Sequence, residues 1–387
     1  MSERVAIVSI AQTKYEREKP LQDHGELVWE VVKKVREETG LKYVDQVSDG
    51  MAIDKVVSCS EDFWQLRTIS DAYIQPELGC YNMDSTKVAG DGAQAVYHAF
   101  MNILSGMHDI ILVVAHRKES ETIRNLVENA AFDPIFMRPL GLDFLAAAAM
   151  QMRRYMDVYG ITEEQCAAVV VKNRGNAKKN PCAQEPLDLT TADVLESKRI
   201  AYPIKAFDCK PISDGACAMI LASENMAKKL TDKPVWIKGV GNCYDAHYLG
   251  DRDLADCDSL RMAAQRAYKM AGITNPRQEI DLAEVSDGYS YQELLWLEEM
   301  GFCERGEGGK LIDQGITMME GELPVNPSGG ILSGNPSAVS GLTRVAEAAL
   351  QLRGEAGERQ VDGPGVALAQ GSTGPCGQSQ CVIILGN

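Results

Sequence analysis

The sequence has no apolar run long enough to cross a bilayer. Its longest stretches, such as Ile110-Ile111-Leu112-Val113-Val114-Ala115, stop far short of the roughly 20 residues a spanning helix needs. The N-terminus does not read as a secretory leader, because it starts polar and turns strand-like at Val5. Positive charge is not in excess. With 39 Lys and Arg against 55 Asp and Glu, the formal net charge is −16. That argues against nucleic acid or an anionic membrane as the main partner, yet leaves room for a local basic pocket that takes a phosphorylated ligand. Metal-ligand spacing is also missing. The eleven cysteines are an odd number, scattered without a CxxC or Cys/His pattern. They read as small buried hydrophobes in a reducing cytosol, so the expectation is a cytoplasmic protein without a metal site.

What is present is an ordinary globular composition, 45% hydrophobic and 24% charged over 387 residues. That length holds two domain-sized cores or one large duplicated core. Short β-branched runs alternate with helical patterns, the signature of a layered α/β fold. The order of pieces then repeats. Val5–Ile10 opens a first half and Val235–Val240 a second. Val47-Ser48-Asp49-Gly50-Met51 has an echo in Val285-Ser286-Asp287-Gly288-Tyr289. A Gly-rich loop and a helix follow each time: Val88-Ala89-Gly90-Asp91-Gly92 into Ala93–Leu104, then Gly329–Gly341 into Leu342–Leu352. Each helix leads to a buried strand, Asp109–Ala115 or Gly365–Ala369, and each half closes on a partner strand, Ala216–Ala222 or Gln380–Leu385. Two similar α/β units packed face to face would bring both loops and both helix N-termini to one interface, a usual place for a ligand site.

Residues 117–200 break the repeat. Helical periodicity, as in Leu145–Tyr159, and polar loops at Asn173–Pro186 read as a helical subdomain inserted on the first half. Insertions of this size often cover a site. The expected organisation is therefore 1–116 with 201–230 as the N-terminal half, 117–200 as the insertion, and 231–387 as the C-terminal half.

The most informative stretch is Val325-Asn326-Pro327-Ser328-Gly329-Gly330-Ile331-Leu332-Ser333-Gly334-Asn335-Pro336-Ser337-Ala338-Val339-Ser340-Gly341. It resembles the active-site loop of the thiolase superfamily, written N-x-x-G-G-x-x-x-x-G-H-P-x-G-x-[ST]-G, with a one-residue gap after Gly330 and Ala338 in place of a family glycine. Asp208-Cys209-Lys210-Pro211-Ile212-Ser213-Asp214-Gly215-Ala216 is similar to the family's D-x-x-x-x-S-D-G-A segment. The Asp281–Tyr289 segment looks like the strand and turn that carry H-D-x-F or N-E-A-F. Leu297–Lys310 and Gln351–Gly357 are close to the archaeal and sterol-carrier-protein-type branch. The resemblance covers nearly the whole chain. It implies a duplicated thiolase fold, two similar α-β-α layered halves with an inserted helical loop subdomain.

The catalytic equipment departs from that family. The nucleophile motif C-x-S-G corresponds to Ala89-Gly90-Asp91-Gly92, so Ala89 has no thiol. Cys80 lies nine residues upstream, before the expected strand. The histidine that activates the nucleophile corresponds to Asn335, and the histidine of H-D-x-F to Ser286. The C-terminal base falls near Gly371, with Cys376 offset from the usual place. None of the five histidines sits in a catalytic motif.

Several candidate site residues follow. Asp91 opens the first Gly-rich helix, as an N-cap or as a base or charge facing the substrate. Tyr289 is a core aromatic or an acid/base phenol. Ser286 and Asn335 are uncharged donors suited to an oxyanion hole, although Asn335 would equally cap its own helix. Tyr244 and His247 lie in the loop near the family's coenzyme A channel, or in an ordinary exposed loop. Gly330, Ser340 and Cys376 complete the expected substrate-binding set, with Cys376 structural or a base. Ala89, Gly90 and Gly371 read as vacated volume for a bulky acyl group.

The resemblance implies an acyl-CoA substrate, coenzyme A as a substrate moiety rather than a bound cofactor, and a homodimer built around Met83–Lys87. It also implies a small zinc-ribbon and OB-fold partner protein docked partly on the insertion. Three activities fit: thiolysis of a bulky 3-oxoacyl-CoA without the usual cysteine, retro-aldol cleavage of a 3-hydroxyacyl-CoA, or a non-catalytic thiolase-like subunit.

Overall fold

The computed structural model describes residues 4–43 and 51–387. Nine strands are used here: β1 (Val5–Gln12), β2 (Lys55–Cys59), β3 (Asp84–Val88), β4 (Ile110–Lys118), β5 (Asp214–Ser223), β6 (Val235–Tyr244), β7 (Leu282–Glu284), β8 (Val366–Thr373) and β9 (Ser379–Gly386). They form one hydrogen-bonded sheet in the order β7-β8-β9-β6-β1-β5-β4-β2-β3. The helices that matter for the site are α1 (His24–Thr39), α2 (Gly92–Leu104), α3 (Arg124–Ala130), α4 (Phe144–Tyr159), α5 (Glu163–Asn176), α6 (Asp258–Ala271), α7 (Ser290–Glu299) and α8 (Ser337–Arg353).

The duplication is visible in the ladders. Outward from the centre, β1-β5-β4-β2 corresponds to β6-β9-β8-β7. In both series the first two junctions are antiparallel and the third is parallel. The two series meet where β1 and β6 pair at only two positions, Ala6↔Trp236 and Ile7↔Val235. The strand β3 is extra and forms an edge of the sheet.

Period-two alternation explains the layering. Val113 and Ala115 of β4 share one core with Ile383 and Leu385 of β9, and that core also holds Ala99 and Ile103 of α2 and Val345 and Ala349 of α8. The alternate residues face outward. Leu112 and Val114 pack on Leu27, Val31 and Val35 of α1, whereas Val382 and Ile384 pack with Leu260 and Ala264 of α6 and Leu294 of α7. The result is five layers, with α2 and α8 sandwiched between the inner faces of the two half-sheets. This central helix pair sets up the site, because both N-termini open at the same end.

Two details differ from the sequence reading, and a third cannot be compared with it. The second Gly-rich loop ends at Pro336, and α8 begins at Ser337, one turn earlier than the apolar period suggests. The echo at Val47–Gly50 lies outside the described residues. The insertion follows β4 in the chain but packs against the second half. Met152, Tyr155, Cys166 and Val170 of α4 and α5 join the core of Leu294, Leu295 and Leu297 of α7. Two buried polar links reinforce that contact, Tyr155 Oη donating to Glu298 and Lys172 Nζ sitting 2.8 Å from a Glu293 carboxylate oxygen.

Candidate active site

The first functional element is a clamp at the two helix N-termini. Asp91 is the N-cap of α2 and is buried. One carboxylate oxygen accepts the Ala93 N–H at 2.9 Å. The other accepts the Gly341 N–H at 2.9 Å and the Ser340 hydroxyl at 3.1 Å. Burial pushes this carboxyl up to about 7, against the pull of the backbone N–H donors. Two glycines make room for it. A Cβ at Gly341 would come within 1.6 Å of an Asp91 oxygen, and one at Gly371 within 2.0 Å. A Cβ at Gly90 would come within 2.1 Å of the Gln94 side-chain oxygen. Gly90 and Gly371 therefore do not vacate volume for substrate: the space is filled by Gln94 and Asp91. Asp91 is spent on joining the halves and is absent from the cavity described next.

A small polar cavity of about 90 Å³ lies beside this clamp, and Ser286, Tyr289, Ser340 and Cys376 all line it. Strand-like pairing fixes the wall that carries Tyr289. The Lys210 N–H donates to the Gly288 carbonyl at 3.0 Å, and Cys209 bridges Tyr289. Tyr289 is 8% exposed. Its hydroxyl has no hydrogen-bond partner among the described residues, and a buried unpaired phenol is costly unless a ligand completes it. Burial lifts this phenol well above its usual range, and Arg124 pulls it back.

The other polar groups of the cavity are mostly committed. The Ser286 hydroxyl donates to the Gln370 carbonyl at 3.0 Å, and the Ser286 carbonyl accepts from Trp296 Nε1 at 2.8 Å. The Ser340 hydroxyl is shared between Asp91 and the Ser337 carbonyl. Burial pushes the Cys376 thiol up to about 12. Lys210 Nζ is held by Glu119 at 2.8 and 3.0 Å. Glu119 also accepts the Ser337 N–H at 3.0 Å and the Ser213 N–H at 3.2 Å. Burial alone would raise Glu119, but Lys210, Arg124 and Arg117 outweigh it and hold it at about 2. Arg124 Nε donates to Glu128 at 2.6 Å. The turn after β8 completes the wall, with Gly374, Cys376 and Gly377 lining the cavity.

The remaining candidates lie elsewhere. Asn335 does not line this cavity. Its Nδ2 donates to the Gly334 carbonyl at 2.6 Å, and its Oδ1 accepts from Arg344 Nη2 at 2.7 Å. Arg344 is itself buried against Glu284 and Ser328. Asn335 therefore does not join Ser286 and Tyr289 in one oxyanion site, because a buried guanidinium holds the amide. Gly330 has φ +65° and faces the Asp287 carboxylate, which a Cβ there would approach within 2.4 Å. Tyr244 and His247 are exposed, and the Tyr244 hydroxyl accepts from Gln94 at 3.1 Å.

Ala89 is exposed and lines a separate chamber of about 390 Å³ with Trp64, Val127 and Phe144. Ser337, Thr373, Gly374 and Glu128 line both this chamber and the small cavity. No ready thiolate lies nearby. Burial pushes Cys80 and Cys209 up to about 12, and Cys59 higher still. A larger hollow of about 790 Å³ lies by α6, lined by Arg261, Tyr268 and Arg305, and holds none of the candidate residues.

Arg124, Glu128, Lys210 and Glu119 were not among the sequence candidates. Arg124 and Glu128 had only a helical i, i+4 spacing as a signal, common on any helix surface. Lys210 lay within a motif that drew attention for its other residues.

Residues 241–387 match the family described as thiolase C-terminal domain-like. An acetyl-CoA acetyltransferase of Methanothermobacter thermautotrophicus is 36% identical, over 96% of this chain and 97% of its own. The benzoylsuccinyl-CoA thiolase subunit BbsB of Thauera aromatica is 29% identical, over 86% of this chain and 84% of its own. Among solved structures, the Ltp2-ChsH2(DUF35) aldolase superposes with a TM-score of 0.84 at 26% identity, covering 99% of this chain and 97% of that one.

Proposed function

The chain belongs to the thiolase superfamily, and from that premise we propose that it cleaves the Cα–Cβ bond of a 3-hydroxyacyl-CoA by a retro-aldol reaction. One observation carries this reading. The buried Tyr289 phenol meets no hydrogen-bond partner among the described residues, whereas Ala89 supplies no nucleophile where the family places its cysteine. Thiolysis through an acyl-enzyme needs a cysteine nucleophile on the loop before α2, and Ala89 supplies no thiol there. A retro-aldol needs only a base for the β-hydroxyl and donors for the enolate oxygen.

In the step envisaged, the phenolate of Tyr289 takes the proton of the β-hydroxyl. The β-carbon becomes a carbonyl, the Cα–Cβ bond breaks, and its electron pair remains as the thioester enolate. Backbone N–H groups of the turn at Gly374–Gly377, which lines the cavity, are the donors envisaged for the enolate oxygen. Tyr289 then gives the proton it took to Cα, which yields the shortened acyl-CoA and restores the phenolate, and a ketone or aldehyde leaves. Ser286, Ser340 and Cys376 shape the cavity. Coenzyme A enters only as part of the substrate, and its arm passes Tyr244 and His247 at the surface.

Thiolysis of a 3-oxoacyl-CoA, with coenzyme A attacking directly, is the second reading. It is favoured by the 36% identical relative named as an acetyl-CoA acetyltransferase. The discriminating experiment supplies the protein with a 3-hydroxyacyl-CoA panel, then with a 3-oxoacyl-CoA panel plus free coenzyme A. Free carbonyl product without coenzyme A consumption supports the lyase. Consumption of coenzyme A supports thiolysis. Inertness toward both, with any co-encoded partner present, supports a non-catalytic subunit.

We further propose a cytoplasmic homodimer joined along β3. That strand is a sheet edge, paired only with β2 among the described residues, and the apolar side chains of Phe63, Leu66 and Ile69 are exposed in the neighbouring segment. Light scattering at micromolar concentration tests it, and a monomer would count against it. A small zinc-ribbon and OB-fold partner would dock on the insertion, where Ile123, Leu126, Ile135, Phe136 and Leu140 are exposed.

A further inference from the structure

The Arg124 side chain is 23% exposed and makes a single ion pair, through Nε to Glu128 at 2.6 Å. Its two terminal Nη groups donate to nothing among the described residues. Arg124 lines the small polar cavity and also a neighbouring one of about 280 Å³. Tyr289, with its own unpartnered hydroxyl, lines the same two. The Tyr289 hydroxyl and the Arg124 Nη groups thus lack hydrogen-bond partners among the described residues where the same cavities meet. A guanidinium fork with free Nη groups is built for a planar or anionic oxygen site. Glu128 anchors the fork from the side and leaves both Nη groups available.

We propose that Arg124 is a catalytic residue of this site, whose Nη groups hold the β-oxygen of the substrate against Tyr289 and stabilise the anionic phenol. The inference rests on the retro-aldol reading for its substrate. In the reaction the β-hydroxyl O–H bond breaks and a Tyr289 O–H bond forms. Negative charge therefore moves from the phenol, across the β-oxygen, to the enolate. A fixed cation beside the first two positions lowers the cost of having the base ionised at the start. Burial works against the charge of Arg124, but Glu128, Tyr289 and Glu119 together more than restore it. Tyr289 is faced by Arg124 and Glu128 from α3, by Cys209 and Lys210 from the segment before β5, by Cys376 from the turn after β8, and by Asp143 across the second cavity. Arg124 and Lys210 are the cations in this set, and Lys210 is already neutralised by Glu119.

Two measurements test the assignment, and the first needs no turnover. Tyrosinate absorbance is titrated in the wild type and in Tyr289→Phe, and the difference isolates Tyr289. The same pair is then measured in the Arg124→Met background. The Tyr289 titration should move to higher pH by about one unit or more without the guanidinium, and to lower pH in Glu128→Gln. The second measurement is the pH–rate profile on an active 3-hydroxyacyl-CoA. Arg124→Met should lower kcat about a hundredfold and displace the alkaline limb by the same amount as the titration, whereas Arg124→Lys should return the limb toward the wild type. A uniform loss of rate with an unmoved limb and an unmoved titration would overturn the proposal and leave Arg124 a packing residue. If the wild type cleaves no 3-hydroxyacyl-CoA, the retro-aldol reading fails, and the titration still decides whether Arg124 tunes Tyr289.

Discussion

The carboxylate of Asp91 accepts the backbone N–H of Gly341 at 2.9 Å, across 250 residues of chain. Asp91 caps α2 of the first half, and Gly341 lies in the first turns of α8 of the second. One side chain thus satisfies an orphan donor of α2, takes a further bond from an early N–H of α8 and favours both dipoles. The contact fixes the relative position of the two halves at the end where Tyr289 and the Gly374–Gly377 turn converge.

Gly341→Ala should be strongly destabilising. The added Cβ would fall within 1.6 Å of an Asp91 oxygen and 2.8 Å of the Ala93 backbone nitrogen, so the carboxylate could yield only by giving up bonds to Ala93, Ser340 or Gly341. Overpacking of this kind costs about 1–3 kcal/mol, and the loss of the Asp91 bonds adds to it. Gly371→Ala should behave alike from the other side. Denaturant midpoints would check both, and an unchanged midpoint for Gly341→Ala would mean the clamp can open without cost.

Asp91→Asn separates charge from hydrogen bonding. Only one of its two side-chain atoms can accept, so the Ala93 or the Gly341 N–H is left facing an amide NH₂. The folded-state pKa of Asp91 is raised to about 7 from 3.8. A raised carboxyl contributes stability that is complete below the unfolded value and is lost as pH rises through the folded one. The stability gap between wild type and Asp91→Asn should therefore be widest near pH 4 and shrink toward pH 7. A gap that grows over that interval would refute the sign.

Asn335→Leu should act on stability more than on catalysis. Its Oδ1 accepts from Arg344, which is buried with Glu284 at its other end. Removing that acceptor leaves a buried charged donor short of a partner, at about 1–3 kcal/mol. A variant with wild-type stability and selectively lost turnover would instead return Asn335 to the oxyanion role its place in the motif suggested.

The duplicated halves were legible because strand alternation, the Gly-rich helix starts and the buried strands recur in order. The core follows from that pattern at β4 and β9, where odd and even residues face different layers. The start of α8 was not legible. Gly341 reads as a loop residue, yet it is helical because the Asp91 side chain occupies the space its own would have filled. Gly371 looked vacant for the same reason. Asn335 kept its place in the loop motif, but its partner Arg344 became visible only once α8 was folded over Glu284. Arg124 carries no motif, and its role depends on α3 folding back toward Tyr289. The missing information is consistently long-range pairing, which local periodicity does not encode.

Ala89→Cys should not rebuild an acyl-enzyme. A thiol at that position would face the chamber of Trp64 and Phe144, which no histidine lines among the described residues and whose one cation, Arg117, is already paired with Glu61. After incubation with a labelled acyl-CoA and denaturation, peptide mapping should find no label between Lys87 and Ala93 in the wild type and no stoichiometric thioester in the variant. A stable thioester on Cys80 in the wild type would move the reactive centre away from Tyr289 altogether.

Tyr289→Phe should leave the fold intact and disable the chemistry. The ring is packed near Tyr291, with centroids 6.4 Å apart, and its hydroxyl bonds to no described protein group. Removing that oxygen breaks no contact and relieves a buried unpaired dipole, so thermal stability should hold or rise slightly. Turnover should fall about a hundredfold or more if the phenol is the acid/base group. Substrate binding, measured separately in single-turnover or equilibrium experiments, should change far less, because the proton transfer belongs to the transition state. Since burial holds the phenol well above its usual range, wild-type kcat should climb with pH above neutrality as more of the phenolate forms, and that limb should vanish in Tyr289→Phe. Wild-type turnover in the variant, with the limb still present, would make Tyr289 a core aromatic and shift the search for the base to Glu128, the carboxyl that lines the same cavity.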